Sequence, residues 1–159
     1  MNRVMVGTEK IPLPQWAGNL KRYVLLVLDR LGMDKWDLSV MLCDDETIKE
    51  LNSRYRGRAQ ATDVLSFAQN EGEFFPSAES RERRRRLPGD IVISLDSLRD
   101  NACRFRVGED EELRRLLIHG ILHLDGMNHE SNKNTEPMLR LQEQILTDLT
   151  ENRIIGRRS

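Results

Sequence analysis

The sequence predicts an α+β fold in a chain of 159 residues. Two kinds of pattern predict it: short alternating or β-branched apolar runs typical of strands, and apolar residues repeated at helical spacing. A chain of this length is a natural single domain and buries roughly 68–70% of its unfolded surface. We therefore expect residues 1–159 to form one domain, with four strands and about five helices.

Four segments carry the strand pattern. Met1–Val6 alternates weakly between apolar and polar residues, whereas Trp36–Leu42 alternates cleanly and predicts a strand with one buried face. Val64–Phe67 predicts a short strand. Gly89–Ser94 contains three consecutive β-branched residues and predicts a buried strand.

The helical pattern recurs between and after these strands. Gly32 and Pro137 stand where a helix commonly ends and begins, respectively. Between the second helix and the third strand, Tyr55–Asp63 is polar and predicts a loop. The predicted helices are about Gln15–Leu31, Asp44 or Asp45 through Leu51, Ser94 or Asp96 toward Arg104, a helix opening at 108–110 that carries the histidines, and about Glu136–Leu149.

A polar segment, residues 70–88, lies between two predicted strands and contains the arginine-rich run Arg81–Arg86. One interpretation is a solvated, flexible insertion. The other is a local phosphate-binding arm, because guanidinium forks match phosphate oxygens. The sequence leaves both interpretations open.

Composition excludes several classes of protein. The net charge of −1 gives no overall basic field for nucleic acid, so RNA binding would need a local patch. Cys43 and Cys103 lack zinc-ribbon spacing and suggest no disulfide framework; Cys43 ends an apolar strand and is expected to be a small buried hydrophobe. The polar N-terminus and the short apolar runs predict neither a secretory signal nor a membrane span. We expect a cytoplasmic protein.

All three histidines fall within eleven residues, at positions 119, 123 and 129. His119 and His123 are four apart, so on a helix their rings project from one face. Gly126 can adopt the left-handed conformation that ends a helix, after which His129 can return toward the pair. Three neutral imidazoles leave a fourth tetrahedral position open, as in a catalytic zinc site, whereas a structural site would need a fourth protein ligand. The spacing therefore favours one catalytic zinc that hydrolyses a phosphodiester or an amide bond.

The same spacing, His-x3-His-x2-Gly-x2-His, is the frame of the metzincin proteases. Those enzymes carry a glutamate directly after the first histidine, where it serves as the general base. Here that position is Gly120. The chain therefore keeps the ligand spacing but lacks the standard proteolytic base. This favours hydrolysis of a phosphodiester bond over hydrolysis of an amide bond.

The histidine segment resembles that of the bacterial YbeY-type endoribonucleases, also called rRNA maturation factors. Two further segments match in the same order along the chain. The resemblance covers most of the chain from about residue 36 to 130. The matching segments are His119–Glu130, the loop and strand formed by Leu51-Asn52, Tyr55–Gly57 and Thr62–Phe67, and the strand Gly89–Ser94.

This resemblance implies a small mixed sheet packed by several helices, with one Zn²⁺ held by His119, His123 and His129. It implies metal-dependent cleavage of single-stranded RNA in small-subunit ribosomal RNA 3′-end maturation and ribosome quality control. The ribosome or its small subunit would be a partner, and no association with a membrane is expected. Arg56 matches an arginine of functional importance in the family, and we assign Arg56 and His119 as catalytic residues. A guanidinium suits phosphate binding but cannot serve as the general base.

Two residues depart from the family pattern. Asn128 stands where the family usually has Asp, which keeps hydrogen bonding and loses charge, and Ala68 stands where Pro is common.

Three carboxylates near the signature segments have open roles. Asp90 and Asp63 could orient a histidine from outside the ligand set, or could be strand-entry residues that bond the backbone. Glu130 is the carboxylate nearest to the histidines that could serve as a base.

Two alternative functions remain open at this point. One is a zinc peptidase-like hydrolase that takes its base from elsewhere in the chain. The other is a non-catalytic ribosome-associated module in which zinc only holds the fold.

Overall fold

The protein is described by a computed structural model over residues 1–68 and 89–156. Within these residues four strands form one mixed sheet, in the spatial order β1-β2-β4-β3. β2 pairs in parallel with β1 and with β4, while β3 is antiparallel to β4. The predicted four-stranded mixed sheet is confirmed. The strands are β1 (Arg3–Thr8), β2 (Asp37–Cys43), β3 (Val64–Ala68) and β4 (Gly89–Ser94).

Five helices accompany the sheet in the described part of the chain, as predicted. Ser94 caps the third by accepting a hydrogen bond from the Ser97 amide at 3.3 Å, one of the two caps that the sequence suggested. Pro137 occupies the first turn of the last helix. The helices are α1 (Ala17–Arg30), α2 (Asp45–Arg56), α3 (Leu95–Phe105), α4 (Glu109–Leu124) and α5 (Pro137–Asp148).

The largest difference from the predicted boundaries concerns α2. This helix continues past Leu51 to Arg56, so the start of the predicted loop at Tyr55 is wrong. Asp44 caps its N-terminus by accepting a hydrogen bond from the Thr47 amide at 2.8 Å. Gly57 ends it in the left-handed conformation, with φ of 69°. Capping at both ends extends the helix beyond its apolar stripe.

The two faces of the sheet are covered by different helices. Ile91 and Ile93 of β4 belong to the main core, which also contains the buried faces of α1, α3, α4 and α5. Val92, between them, faces a smaller cluster with Cys43 and with Ile48 of α2. The alternation along β4 therefore buries both faces of the strand. The prediction of Cys43 as a small buried hydrophobe is confirmed, and burial raises the pKa of its thiol to about 12.

Helix α4 lies at the centre of the fold, where it contacts α1, α3, α5, β3 and β4. This surrounds the histidine-bearing helix with packed elements and leaves one side of its C-terminal half for the site. The predicted insertion 70–88, including Arg81–Arg86, lies outside the described residues. No helix in the described part of the chain is long and apolar enough to cross a membrane.

Candidate metal centre

His119 and His123 lie on one face of the last two turns of α4, as their spacing predicted. Their Nε2 atoms are 3.0 Å apart and their ring centroids are 4.5 Å apart. Both rings are partly buried, while the opposite side of the helix enters the core through Leu117, Ile118 and Ile121. The helix thus fixes two imidazoles side by side at the edge of the core.

The turn after α4 brings the third histidine to this pair. Gly126 has φ of +92°, and its amide donates to the His123 carbonyl oxygen at 2.9 Å. The Met127 amide donates to the Leu122 carbonyl oxygen at 3.0 Å, which completes the helix-ending motif. His129 then lies with its ring centroid 5.2 Å from that of His119 and 5.7 Å from that of His123. The predicted role of Gly126 in ending the helix is confirmed.

Each histidine has its Nδ1 atom directed at a carbonyl oxygen. In His119 it is 2.7 Å from Gln142 Oε1, in His123 3.0 Å from the Met127 oxygen, and in His129 2.9 Å from the Ser131 oxygen. A carbonyl oxygen only accepts hydrogen bonds, so each Nδ1 carries the proton and donates it. In the neutral ring, Nε2 then keeps a lone pair for a metal.

These three orientations fit a cation. Two Nε2 lone pairs that face each other at 3.0 Å, as in His119 and His123, repel unless a positive charge lies near both. One ligand atom from each of the three histidines lies within 4.8 Å of the others. Around a tetrahedral zinc with N–Zn distances of ~2.0–2.1 Å, nitrogens are about 3.3 Å apart. The cluster can therefore hold a metal ion after small side-chain adjustments.

The donor set contains three histidines and no fourth side chain. Across the described residues, no Cys, Asp or Glu joins this cluster. Burial lowers the pKa of His119 and of His123 below the ordinary imidazole value, which favours the neutral form that binds metals. A three-imidazole site with a free fourth position is typical of catalytic rather than structural zinc.

Gly120, the residue that replaces the protease glutamate, faces the sheet rather than the histidines. A Cβ atom added there would lie 2.9 Å from Cδ1 and 3.1 Å from Cγ1 of Ile91, which is fully buried on β4. The glycine lets α4 pack closely on β4. A larger side chain here would have to displace the Ile91 side chain, and glycine itself supplies no base.

The structure adds a polar network that the sequence reasoning missed. Gln142 of α5, only 6% exposed, accepts from His119 and donates through Nε2 to Glu143 Oε2 at 3.1 Å. Arg115 of α4 donates to both carboxylate oxygens of Glu143, at 3.0 and 3.1 Å. Burial opposes ionisation of Glu143, but hydrogen bonds from Arg115 and Gln142 outweigh it and lower its pKa. A sequence signal existed, because Gln142 is a polar residue between Met138 and Ile145 on the apolar stripe of α5.

Arg56, the other predicted site residue, ends α2 and lies beside β3. Its Nη2 donates to the Ser66 carbonyl oxygen at 2.7 Å, and its guanidinium carbon is 4.8 Å from the centroid of the Phe67 ring. The hydroxyl of Ser66 in turn donates to the Gly120 carbonyl oxygen at 3.4 Å. Through Ser66, Arg56 is thus connected to the residue that follows His119.

The candidate carboxylates have different partners from one another. Asp90 accepts a hydrogen bond from the Ser39 hydroxyl at 2.7 Å, so its suggested role beside a histidine is wrong and it joins β2 to β4. Asp63 accepts from the Val64 amide and from Asn101 Nδ2, both at 2.8 Å, and it also lines the cavity beside the histidines. Asp63 therefore bonds the backbone at a strand entry, as one of its two interpretations held.

Two exposed residues of the histidine segment remain. Asn128 is exposed, and its side chain lies close enough to His123 to raise the pKa of that ring slightly against the larger effect of burial, which lowers it. Glu130, the suggested base, is exposed and does not line the cavity beside the histidines.

That cavity, of about 560 Å³, adjoins His119 and His129 between α3, α4 and α5. Its polar wall includes Asp63, Glu112 and Glu143, and its apolar wall includes Phe105, which is 61% exposed. Arg115, which is ion-paired with Glu112 and Glu143, lines the same cavity.

Comparison with known proteins identifies a family whose members match most of this chain. The model of the family described as Endoribonuclease YbeY matches residues 5–150. Endoribonuclease YbeY of Treponema pallidum (strain Nichols) is 48% identical over 146 residues, covering 92% of this chain and 89% of that protein. The Persephonella marina protein of the same name is 38% identical over 150 residues, 94% of each chain.

A solved structure is similar as well. The solution structure of TM1509 from Thermotoga maritima covers 98% of this chain and 99% of that one, with 27% identity and a TM-score of 0.61. The family match spans the sheet, the histidine cluster and α5. This chain belongs to the Endoribonuclease YbeY family.

Proposed function

We propose that this protein is a zinc-dependent endoribonuclease that cuts single-stranded RNA. Family membership supports the endoribonuclease class. One observation carries the metal dependence: the Nε2 atoms of His119 and His123 face each other at 3.0 Å while each Nδ1 is held by a carbonyl oxygen. With His129, these residues would hold one zinc ion. A zinc ion held there would supply Lewis-acid chemistry, stabilising negative charge that develops on phosphoryl oxygens.

The chain's own residues would divide the remaining tasks. His119 would serve as a catalytic residue by helping to hold the metal. Arg56 is proposed to contact a phosphate of the RNA, since a guanidinium binds phosphate through two parallel hydrogen bonds and stays charged. Its guanidinium donates to the Ser66 carbonyl oxygen and lies over the Phe67 ring, which holds the positive charge beside β3.

The cavity walls suggest how the RNA strand lies. The polar wall carries Asp63 together with Glu112 and Glu143, and the last two are ion-paired with Arg115, which lines the same cavity. Such a wall offers both acceptors and donors to the edges of bases. Phe105 offers an aromatic face on which a base can stack. A single strand can turn its bases toward such a wall, whereas a duplex keeps them paired. These features support single-stranded over double-stranded substrates.

The biological role that we propose is maturation of the 3′ end of small-subunit ribosomal RNA, together with ribosome quality control. The ribosome or its small subunit would then be a partner and the cytoplasm the compartment. With a net charge of −1, attraction to ribosomal RNA must come from local groups rather than from an overall basic field. Co-sedimentation of the protein with purified small subunits, at low and high salt, tests this role.

A cleavage assay tests the enzymatic proposal. Zinc-loaded protein is incubated with a single-stranded RNA, a duplex of the same sequence and an unfolded protein. We expect internal cuts in the single strand, far slower cleavage of the duplex and an intact protein. Cleavage of the protein alone would instead indicate the peptidase-like hydrolase. Zinc-loaded protein that cuts neither, and that unfolds when zinc is removed, would indicate the non-catalytic module.

A further inference from the structure

We propose that Gln142 is a positioning residue that fixes the tautomer of His119, and that the Glu143–Arg115 pair fixes the orientation of the Gln142 amide. This inference rests on the metal site of the proposed function. It assigns a role to residues of α5 that lie outside the ligand set. The chain of contacts runs from Arg115 through Glu143 and Gln142 to His119.

The first step concerns the orientation of the amide. A glutamine side chain can present either its oxygen or its NH₂ group to a neighbour, and the two differ in hydrogen bonding. An ionised carboxylate only accepts, so Glu143 requires the NH₂ group of Gln142 at their 3.1 Å contact. Arg115 occupies both oxygens of that carboxylate from the other side, which keeps Glu143 in place and charged. The Gln142 oxygen must then face away from Glu143.

The second step transfers this orientation to the histidine. The Gln142 oxygen faces His119 Nδ1 at 2.7 Å, and since this oxygen only accepts, Nδ1 must carry the proton. The lone pair of His119 is thereby placed on Nε2, the atom directed at His123. Gln142 is 6% exposed, so water cannot readily replace its oxygen. The amide thus determines which nitrogen of His119 is available to a metal.

The other two ligands do not depend on a side chain in this way. His123 and His129 donate to the backbone oxygens of Met127 and Ser131, which no substitution of those residues removes. His119 alone among the three is oriented by a side chain, and that side chain comes from another helix. The arrangement makes the packing of α5 on α4 a condition for one of the three ligands.

The test uses full-length protein with four single substitutions. Gln142→Met keeps the approximate volume and removes the acceptor, whereas Gln142→Glu keeps an acceptor at the same place. Glu143→Gln removes the charge that orients the amide. Gln144→Met is the matched control, because Gln144 lies on the same helix but is exposed and bonds only Asp148 in the described residues. Urea unfolding of each metal-free variant shows that it folds.

Two measurements report on the proposal without any RNA. Long-range ¹H–¹⁵N spectra of the metal-free protein at neutral to alkaline pH show which nitrogen of His119 is protonated. Competition with a chelator gives the zinc dissociation constant. We expect the Nδ1–H tautomer in the parent protein, a mixture of tautomers in Gln142→Met, and zinc binding weaker by about 10–100-fold in that variant.

The remaining variants separate positioning from packing. Gln142→Glu should bind zinc within about tenfold of the parent, Glu143→Gln should lose affinity and show mixed tautomers, and Gln144→Met should match the parent. Parent-like tautomer and affinity in Gln142→Met would overturn the role of Gln142. Parent-like values in Glu143→Gln would overturn the role of the ion pair. A parent protein that binds zinc but cuts no RNA contradicts the proposed function and leaves this inference standing.

Discussion

The two ends of α4 both contain buried or half-buried polar groups, but these groups face different surroundings. At the N-terminal end, Asp110 accepts from Arg114 Nε at 2.8 Å and from the amides of Ile154 and Ile155 at 2.7 and 2.8 Å. At the C-terminal end, the histidine Nδ1 atoms have partners while the Nε2 atoms of His119 and His123 face each other. The chain supplies the partners of Asp110, whereas the lone pairs of the histidines require a cation.

This difference separates a polar network that holds the fold from one that binds a ligand. Asp110 and Arg114 are 4% and 7% exposed in their side chains, and Asp110 attaches the segment after α5 to α4. His119 and His129 line a cavity that is open to solvent. Buried, hydrogen-bonded polar groups occur at both ends, so burial and hydrogen bonding do not show which end binds a ligand. The distinguishing feature of the C-terminal end is that the Nε2 lone pairs of His119 and His123 face each other.

The largest expected effect comes from removing two ligands together, His119→Ala with His123→Ala. We expect loss of stoichiometric zinc and a fall in RNA cleavage of at least about a thousandfold, because Lewis-acid stabilisation is worth several kcal/mol. The metal-free variant should remain folded, since the substitution also removes two lone pairs that repel. Metal analysis, a cleavage time course and circular dichroism measure the three outcomes. Full cleavage by a folded double variant would refute both enzymatic interpretations of the site.

At the N-terminal end of α4, a substitution should lower the stability of the protein and leave its zinc affinity unchanged. Asp110→Ala leaves the Arg114 charge and two backbone amides without their acceptor, and breaking such a buried pair costs about 3–5 kcal/mol. Urea unfolding should show this loss, while the zinc dissociation constant of the folded fraction stays within about twofold. Asp148→Ala is the control, because its pair with Arg30 is at the surface and should contribute little. A large loss of zinc affinity at unchanged stability would show that the two ends are not separate.

A smaller effect is expected where α4 packs on the sheet. Gly120→Ala gains up to about 1 kcal/mol of helix propensity but overpacks Ile91, which costs about 1–3 kcal/mol, so we expect a net loss of about 1 kcal/mol. Ile91→Val removes the nearest methyl group, Cδ1, and should offset part of this loss in the double variant. Gly18→Ala in α1, where nothing lies near the added Cβ, should not destabilise the protein. Urea unfolding of this set would refute close packing if Gly120→Ala were as harmless as Gly18→Ala.

The smallest effect is expected at Asn128, whose side chain lies close to His123. Asn128→Asp should tighten zinc binding by at most about tenfold, because a carboxylate near the metal adds an attraction that solvent largely screens. The gain should shrink as salt is raised, which chelator competition at two ionic strengths can measure. Equal or weaker affinity at low salt would show that charge at this position does not act on the site.

Much of the centre could be predicted from the sequence because its key contacts are local. The four-residue spacing of His119 and His123 and the position of Gly126 determine which face the rings share and where the helix ends. Gln142 could not be predicted in this way, because it lies 23 residues from His119 along the chain and reaches it only through the packing of α5 on α4. The Arg115–Glu143 pair, 28 residues apart, depends on the same packing.

The structure differs from one prediction and from one of two open interpretations about single residues. Arg56 was expected near the start of a loop, because the apolar stripe of α2 ends at Leu51, but the left-handed Gly57 lets the helix continue to Arg56. Asp90 was considered as a partner for a histidine, but the parallel pairing of β2 with β4 sets Ser39 opposite it. Strand register is a tertiary property that no local pattern in either strand specifies.

The most direct test of the account is the coordination of zinc in the purified protein. X-ray absorption together with metal analysis should show one zinc per chain with three imidazole nitrogens at ~2.0–2.1 Å and one further light-atom ligand. The ¹H–¹⁵N spectra of the zinc-loaded protein should show that all three rings bind through Nε2. A sulfur ligand, fewer than three imidazoles, or binding through Nδ1 of His119 would contradict the claim that hydrogen-bonded histidines at the end of α4 form an open zinc site.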